Sequence, residues 1–349
     1  MSWFDPVAHL EDPEWPKLNE AGFTESPHLW FDDGTVVIVC TGSPDLKMGF
    51  RINESVLCLN SSVFKDMFSA GQPQHLARED SFEGCPIVRL PDDSFSMNNL
   101  LRMLYERSYG QNLNDFTLAE IEGVLHLASK YMVYHVRTVI VQHLETLFPT
   151  SLQDYRRNPS TPHEECFRGL KIAIQFDLPS LIPCAMYLCS LHEAQYIFAE
   201  LHHLDLESEI KNVLSFKEEL ADRITNDVLT SEYFVFDGKC VKTPASVGCN
   251  GIDPTTARRI LVAYMDSKID VFANNPTDNL RGQTDPQCCF ACVRDRQRLE
   301  EEKYKLMLWG HLPSLAYVDD SREWTTWAHV DQARRDAIQT WAMAPRSAQ

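Results

Sequence analysis

The sequence predicts an α+β protein: a small unit of short strands with a cluster of helices, followed by a mainly α-helical C-terminal region. Residues 35–40 are β-branched and continuous, as expected of a buried strand. Between residues 50 and 68 the pattern changes from strand-like alternation to helical spacing. Beyond residue 149 the apolar patterns are helical. These three observations set the fold class.

Residues 50–68 organise the first unit. The apolar residues at positions 50 and 52 alternate with polar ones, which predicts a strand that pairs back with the preceding run as a hairpin. Helical spacing follows in two short pieces, separated by Asn60-Ser61-Ser62, whose side chains can accept hydrogen bonds from free amides at a helix start. Because these short helices have dense apolar faces, they must be buried in a core or against a partner. Phe64, Met67 and Phe68 are expected to face the core.

Capping residues and periodicity predict the other elements of this unit. Residues 87–90 form a predicted strand that ends at Pro91, and Asp92 or Asp93 is the predicted N-cap of the next helix. Residues 117–120 have the spacing of a capping box. Two apolar helical stripes follow, made of Leu118, Ile121, Leu125, Ala128 and Met132, then of Val133, Val136, Val139, Ile140, Val141 and Leu144. The predicted order is therefore three strands, a helical hairpin, one more helix and two longer helices.

Three sequence blocks in this unit carry a family resemblance. They are Phe50-Arg51-Ile52 leading through Ser55-Val56-Leu57 to Ser61-Ser62-Val63-Phe64-Lys65-Asp66-Met67-Phe68, then Leu100-Leu101-Arg102-Met103-Leu104-Tyr105, then Leu125-His126-Leu127-Ala128-Ser129-Lys130-Tyr131-Met132-Val133. Together and in this order they resemble the BTB/POZ domain, over about a third of the chain. In the third block we expect Tyr131 to bury its ring with its hydroxyl hydrogen-bonded, while Lys130 extends its ammonium to solvent.

The resemblance implies a function in protein–protein interaction. It implies homodimerisation, or an adaptor or scaffold role that recruits a cullin-type ubiquitin ligase, through the BTB/POZ module. Dimerisation would bury apolar surface that a small strand-and-helix unit otherwise leaves exposed. We expect the partner surface to lie near residues 52–68 and near the helix around residues 100–105.

The chain is predicted to have four regions. Residues 1–30 are rich in Pro, Glu, Asp and Trp and are expected to form a partly disordered N-terminal arm. Residues 31–148 form the BTB/POZ-like unit, residues 149–235 a helical extension, and residues 236–349 a C-terminal helical region with a Cys-x-x-Cys pair. The predicted helices beyond the first unit are residues 167–176, 180–191, 213–229, 255–272 and a charged run at 294–305. This layout, with its late Cys-x-x-Cys and Trp/Leu-Pro segment, is similar to that of BTB-domain proteins of filamentous fungi.

Four late cysteines are candidate metal ligands. Cys289 and Cys292 have the two-residue gap that lets two thiolates reach one ion, and Cys240 and Cys249 could complete a four-cysteine zinc site. The gap between the latter two is longer than the usual ~2–4 residues. Three interpretations stay open: ordinary buried or surface cysteines, a structural zinc site, and a redox pair. No other cofactor is expected.

Composition limits the classes of partner and compartment. The formal net charge is −18, and residues 31–148 alone carry 15 acidic and 9 basic side chains, a net −6. An acidic surface repels phosphates, so direct binding to nucleic acid or to anionic membranes is disfavoured. No signal peptide or membrane span is predicted, and 11 cysteines without a secretory signal favour the cytosol or the nucleus.

No sequence motif supports catalysis. The chain contains no Gly-rich phosphate loop, no Gly-x-Ser-x-Gly elbow and no kinase motifs, so we expect a protein that is not an enzyme. The first hypothesis is a protein-interaction protein that acts through its BTB/POZ-like unit, with the helical region as a second binding surface. The alternative is a zinc-stabilised regulatory protein in which the BTB/POZ-like unit only supplies oligomerisation. A nuclear location is one form of this hypothesis.

Overall fold

The computed structural model describes residues 18–42, 47–70, 81–157, 165–230, 270–273, 297–317 and 324–343. The chain divides into two compact units, and the division falls between Val141 and Gln142. Among the described residues, all strands lie in the first unit, and the second unit is helical. The predicted α+β fold class is therefore confirmed.

A mixed five-stranded sheet forms the centre of the first unit. Its strands are β1 (Thr24–Trp30), β2 (Val36–Cys40), β3 (Met48–Ile52), β4 (Ser81–Phe82) and β5 (Cys85–Leu90), in the spatial order β1-β3-β2-β5-β4. Strands β2 and β3 form the predicted antiparallel pair, while β2 and β5 run parallel. All five residues of β2 are buried because it lies in the middle of the sheet, which explains its continuous apolar sequence.

Strand β1 lies within the stretch that the sequence analysis assigned to the N-terminal arm. It pairs in parallel with β3, with a shift of register between Glu25 and Trp30. Pro27 lies within this strand, and a proline is tolerated on an edge strand, where one row of backbone groups needs no partner strand. Just before β1, the Phe23 ring lies so close to Gly49 that a Cβ there would meet it at 2.4 Å.

Strand β4 is not among the elements that the sequence predicts. Ser81–Phe82 pairs with the start of β5 through a two-residue turn, Glu83-Gly84. Both turn residues have positive φ, 51° and 81°, which is the geometry that matches the right-handed twist of a hairpin.

Five α-helices surround the sheet or follow it. They are α1 (Glu54–Asn60), α2 (Ser62–Ser69), α3 (Ser94–Tyr105), α4 (Leu118–Lys130) and α5 (Tyr134–Leu147). Asp93 is the N-cap of α3, and Thr117 and Glu120 form the predicted capping box of α4. Met132 was predicted on the apolar stripe of α4 but lies beyond its end with φ 52°. The amide of Val133 donates to the Ala128 carbonyl at 2.8 Å, so the helix ends in a Schellman motif.

The second unit contains the end of α5 and seven further helices in the described ranges: α6 (Leu152–Arg157), α7 (Cys166–Gln175), α8 (Ile182–Ser190), α9 (Ala194–His203), α10 (Glu207–Thr230), α11 (Gln297–Ala316) and α12 (Trp327–Met343). Helix α8 is the centre of this unit and packs against α7, α10 and α11. It is apolar all round and buried from Pro183 onward, and the proline lies in its first turn, where its missing amide costs little. Of the helix predicted at residues 255–272, only residues 270–272 are described, and residues 271 and 272 lie in a turn.

The Trp/Leu-Pro segment has a structural role in this unit. Pro313 lies inside α11 and has no N–H, so the carbonyl of Trp309, four residues earlier, has no helical donor. The indole N–H of Trp327 donates to that carbonyl at 2.9 Å, and the two indole rings stack at 5.9 Å. Helix α12 is thus anchored at the position where proline interrupts α11.

Candidate interaction surface

Ser61 joins α1 to α2 and fixes both to the end of α4. Its hydroxyl accepts a hydrogen bond from the Phe64 amide at 3.0 Å, which caps α2, and donates to the Tyr131 carbonyl at 2.5 Å. Ser61 is buried, so both hydrogen bonds are protected from water. The predicted capping role of the Asn60-Ser61-Ser62 break is therefore confirmed for Ser61.

The inward face of this hairpin is part of the core. Leu57 and Phe64 are buried, and the Phe64 ring stacks on Tyr131 with centroids 4.5 Å apart and planes 9° apart. Met67 and Phe68 are only half-buried, which corrects the prediction that both face the core together with Phe64. Helix α2 therefore turns part of its apolar face away from the core.

Tyr105 connects the two segments near which the partner surface is predicted, residues 52–68 and the helix around residues 100–105. Its hydroxyl accepts from the Asn53 amide and donates to the Asn53 carbonyl, both at 3.1 Å. Burial raises the pKa of Tyr105 to about 12, so the hydroxyl keeps its proton at neutral pH. The ring of Phe31 stacks on Tyr105 at 5.3 Å. The start of α1 and the end of α3 are thus held together by one side chain.

A buried carboxylate holds the end of α4 to the start of α3. One oxygen of Asp92 lies 2.6 Å from the Lys130 ammonium, and the other accepts a hydrogen bond from the Tyr131 hydroxyl. Burial, and then the hydrogen bond to Asp92, raise the pKa of Tyr131 well above its usual value. The predicted burial of the Tyr131 ring and bonding of its hydroxyl are confirmed. Sequence reasoning missed Asp92 as the shared partner, because it considered this residue only as a helix cap.

The family model for the BTB/POZ domain matches residues 33–147. These residues are a BTB/POZ domain. The domain contains β2 to β5 and α1 to α5, whereas β1 and Phe31 precede it in the chain. A BTB/POZ domain is a protein–protein interaction module, not a catalytic one, so the general class of function predicted from the sequence is confirmed. No curated protein matches the chain.

Leu59 is the one large apolar side chain exposed on the α1–α2 hairpin of the BTB domain, at 85 %, among exposed polar residues. Val56, Val63 and Met67 of the same hairpin are half-buried. We call these four residues the outer face. An apolar side chain as exposed as Leu59 loses the free energy that burial would provide, and clustered apolar exposure marks interaction sites. The outer face is therefore the candidate partner surface of the BTB domain.

The described cysteines are free thiols: Cys40, Cys58, Cys85, Cys166, Cys184 and Cys189. In the BTB domain, burial and the nearby Asp92 carboxylate raise the pKa of Cys40 to about 12, so this thiol stays protonated at neutral pH. Because Cys40 is protonated and buried, it is neither a nucleophile nor a metal ligand.

The four predicted zinc ligands, Cys240, Cys249, Cys289 and Cys292, lie outside the described residues. Within the described ranges, no group of three or more His, Cys, Asp or Glu side chains could hold a metal ion. The zinc hypothesis stays a prediction. In the same ranges, no helix has the length and apolar character that crossing a bilayer requires.

Proposed function

We propose that this protein acts by binding other proteins and that its BTB domain forms a homodimer through the outer face. The observation behind the proposal is Leu59, which is 85 % exposed on a hairpin whose inward residues are buried. Homodimers usually have two-fold symmetry, so an exposed apolar residue in the interface would be buried in both protomers. Covering a leucine side chain contributes about 1.5–3 kcal/mol, which makes this residue the expected centre of the contact.

The test is the mass of the full-length chain in solution, by light scattering after size-exclusion chromatography. We expect twice the chain mass of 40.0 kDa. Leu59→Glu places a charge at the centre of the proposed contact and should yield a folded monomer. Leu306→Glu is the matched control, because Leu306 is 60 % exposed on α11, outside the BTB domain. A monomeric wild type, or a dimer that survives Leu59→Glu, would contradict the proposal.

An adaptor role for a cullin-type ubiquitin ligase is the second proposal. The BTB/POZ match supports it, since the resemblance implies this role, and the outer face offers the apolar surface for it. The measurement is binding of the full-length wild type to a purified cullin N-terminal domain, with Leu59→Glu and Leu306→Glu as the matched pair. Absence of binding by the wild type would reject the adaptor role and leave dimerisation as the function.

The zinc-stabilised regulatory role is a separate proposal about the C-terminal region, and the nuclear compartment belongs to it. The Cys289-x-x-Cys292 spacing supports it. Native mass spectrometry before and after chelation should show one zinc ion per chain, lost on chelation and in the Cys289→Ser/Cys292→Ser variant. A mass that the chelator leaves unchanged would refute this role.

A further inference from the structure

A four-residue segment of the helical unit, residues 270–273, lies against side chains of three helices. Asp270, Val271 and Phe272 are buried, although residues 271–273 form a turn and belong to no helix or strand. Its contacts come from α6, α8 and α11, which are distant from it in the chain. Three features of the segment each make their own contacts with these helices: the carboxylate, the aromatic ring and a backbone carbonyl.

The carboxylate of Asp270 is held by neutral hydrogen-bond donors. The Tyr155 hydroxyl of α6 donates to one oxygen at 2.6 Å, and the Tyr187 hydroxyl of α8 donates to the other at 2.9 Å. The second oxygen also accepts the amides of Phe272 and Ala273, each at 3.0 Å, which fixes the turn. A buried carboxylate with four donors has its acceptor positions well satisfied.

The aromatic ring of the segment lies among three other rings. The Phe272 centroid is 4.7 Å from that of Tyr187, 4.9 Å from that of Trp309 and 6.2 Å from that of Tyr155. These are the tilted and edge-to-face separations that aromatic pairs prefer. The two tyrosines therefore recognise the carboxylate with their hydroxyls and the aromatic ring with their own rings.

The backbone carbonyl of Phe272 accepts a hydrogen bond from Arg156 Nε at 3.2 Å. The same guanidinium is oriented by Glu302 of α11, with Nη1 and Oε2 2.5 Å apart. Arg156 and Glu302 are partly exposed, so the carbonyl end of the segment lies at a rim that solvent reaches. A competing peptide segment would therefore enter this site from its solvent-exposed carbonyl end.

We propose that the helical unit contains a binding pocket for a short Asp–apolar–Phe segment, that residues 270–273 occupy it in cis, and that a partner protein presenting such a segment displaces them. The combination of few convergent polar groups with an aromatic wall is typical of peptide pockets. The proposal does not depend on the BTB dimer, and it gives the protein a second, self-blocked interaction site.

The first test is hydrogen exchange in the wild-type full-length chain. A segment that leaves its pocket must expose the Phe272 and Ala273 amides by a local opening, while α8 stays folded. We expect these amides to exchange at least about tenfold faster than the Ala185 amide of α8. Equal exchange rates in both places would show that the segment is an integral part of the core, and would overturn the proposal.

The second test supplies the segment in trans. The probe is a fluorescein-labelled peptide of sequence Asp270-Val271-Phe272-Ala273, acetylated and amidated, added to the full-length Asp270→Ala/Phe272→Ala variant. Fluorescence anisotropy should show binding at least about tenfold tighter than to the wild type, whose pocket is occupied. A peptide with Asn at the first position should bind at least about tenfold more weakly, because a charged acceptor is lost.

Either of two results in this assay would overturn the proposal. One is a variant that is folded by circular dichroism and binds neither peptide. The other is equal affinity of the wild type and the variant, since an occupied pocket must be the weaker binder. If the variant fails to fold, the exchange experiment on the wild type decides alone, and it needs no destabilised chain.

Discussion

Among the described residues, each of the two units buries one aspartate, and the two units compensate its charge in different ways. In the BTB domain, Asp92 has a cationic partner, Lys130, together with the hydroxyl of the adjacent Tyr131. In the helical unit, Asp270 is held by two tyrosine hydroxyls and two backbone amides. Both partners of Asp92 come from one dipeptide at the end of α4, while the tyrosines that bind Asp270 come from two helices.

The two aspartates are similarly buried, at 6 % and 8 % exposure, so the difference lies in their partners: Lys130 reaches solvent, whereas the tyrosines that bind Asp270 are buried. The Lys130 side chain is 39 % exposed, so its ammonium keeps part of its hydration while it pairs with a carboxylate that is only 5 % exposed. A second charge beside Asp270 would have to be desolvated as well, and that cost often exceeds the Coulombic gain. Neutral hydroxyl and amide donors avoid this desolvation cost. Burial raises the pKa of Tyr187 far above its usual value, so the hydroxyl stays a donor.

The largest expected effect is at the ring that covers the Asp92 cluster. Phe64→Asp would bury a third charge next to Tyr131, on which Phe64 stacks. Loss of the ring alone costs about 3–5 kcal/mol, and an unpaired buried charge adds to this, so we expect insoluble protein. Expression and solubility of the purified chain measure the effect.

The control for this substitution is Leu59→Asp in the preceding helix. Leu59 is exposed, so the same new charge should leave the fold intact there. A Phe64→Asp chain that stays soluble and unfolds cooperatively would show that Phe64 is not part of the core that supports the BTB domain's buried carboxylate.

The second prediction contrasts two adjacent aspartates of the BTB domain. Asp92→Ala leaves the buried Tyr131 hydroxyl without its acceptor and Lys130 without its partner, which should cost about 2–3 kcal/mol. Asp93→Ala removes only the exposed N-cap of α3, whose carboxylate accepts from the Ser96 amide at 2.7 Å, and should cost about 1 kcal/mol. Urea unfolding of both variants measures the difference, and equal losses would refute a special role for Asp92.

Much of the BTB domain could be predicted from the sequence because its signals are local. The β2–β3 hairpin, the Ser61 cap and the capping box at Thr117 each depend on residues within a few positions of one another. Strand β1 could not be predicted, since its place on the edge depends on β3, whereas Pro27 locally indicates a break.

The Asp270 cluster could not be predicted for a related reason. Its partners Tyr155 and Tyr187 are 115 and 83 positions away in the chain. No local pattern distinguishes a tyrosine whose hydroxyl meets a carboxylate from any other core tyrosine. Only the packing of α6 and α8 brings these groups together. The location of the partner surface stays a prediction, and the proposal above centres it on the exposed Leu59.

The third prediction tests whether the neutral donors of the helical unit each matter. Tyr155→Phe and Tyr187→Phe keep the ring and remove one donor from a buried carboxylate oxygen, which should cost about 1.5–2 kcal/mol each. In the double variant the losses should not add, because both hydroxyls bind one carboxylate. Thermal unfolding of the two single variants and the double variant forms the cycle; strict additivity would mean that the hydroxyls act independently of Asp270.

The smallest effect is expected at a carboxylate of the BTB domain that is neither buried nor shared. Glu106 receives two hydrogen bonds from Arg102 at 2.6 and 2.8 Å, and these lower its pKa below the usual 4.5. A lowered pKa in the folded state stabilises the fold above the unfolded-state pKa, and the contribution disappears as the pH falls through the folded-state value. Because both groups are partly hydrated, the contribution should be only about 0.5 kcal/mol.

The measurement for this pair is the difference in unfolding free energy between the wild type and Glu106→Gln, at pH 7 and at about pH 3. We expect the wild type to be more stable at pH 7 and the difference to shrink as the pH falls through the lowered pKa of Glu106. If the difference persisted in acid, packing of Glu106 against α3 and not its charge would be the source. Compared with Asp92→Ala, this result would show that burial, more than the hydrogen-bond distances, sets how much a carboxylate contributes in this domain.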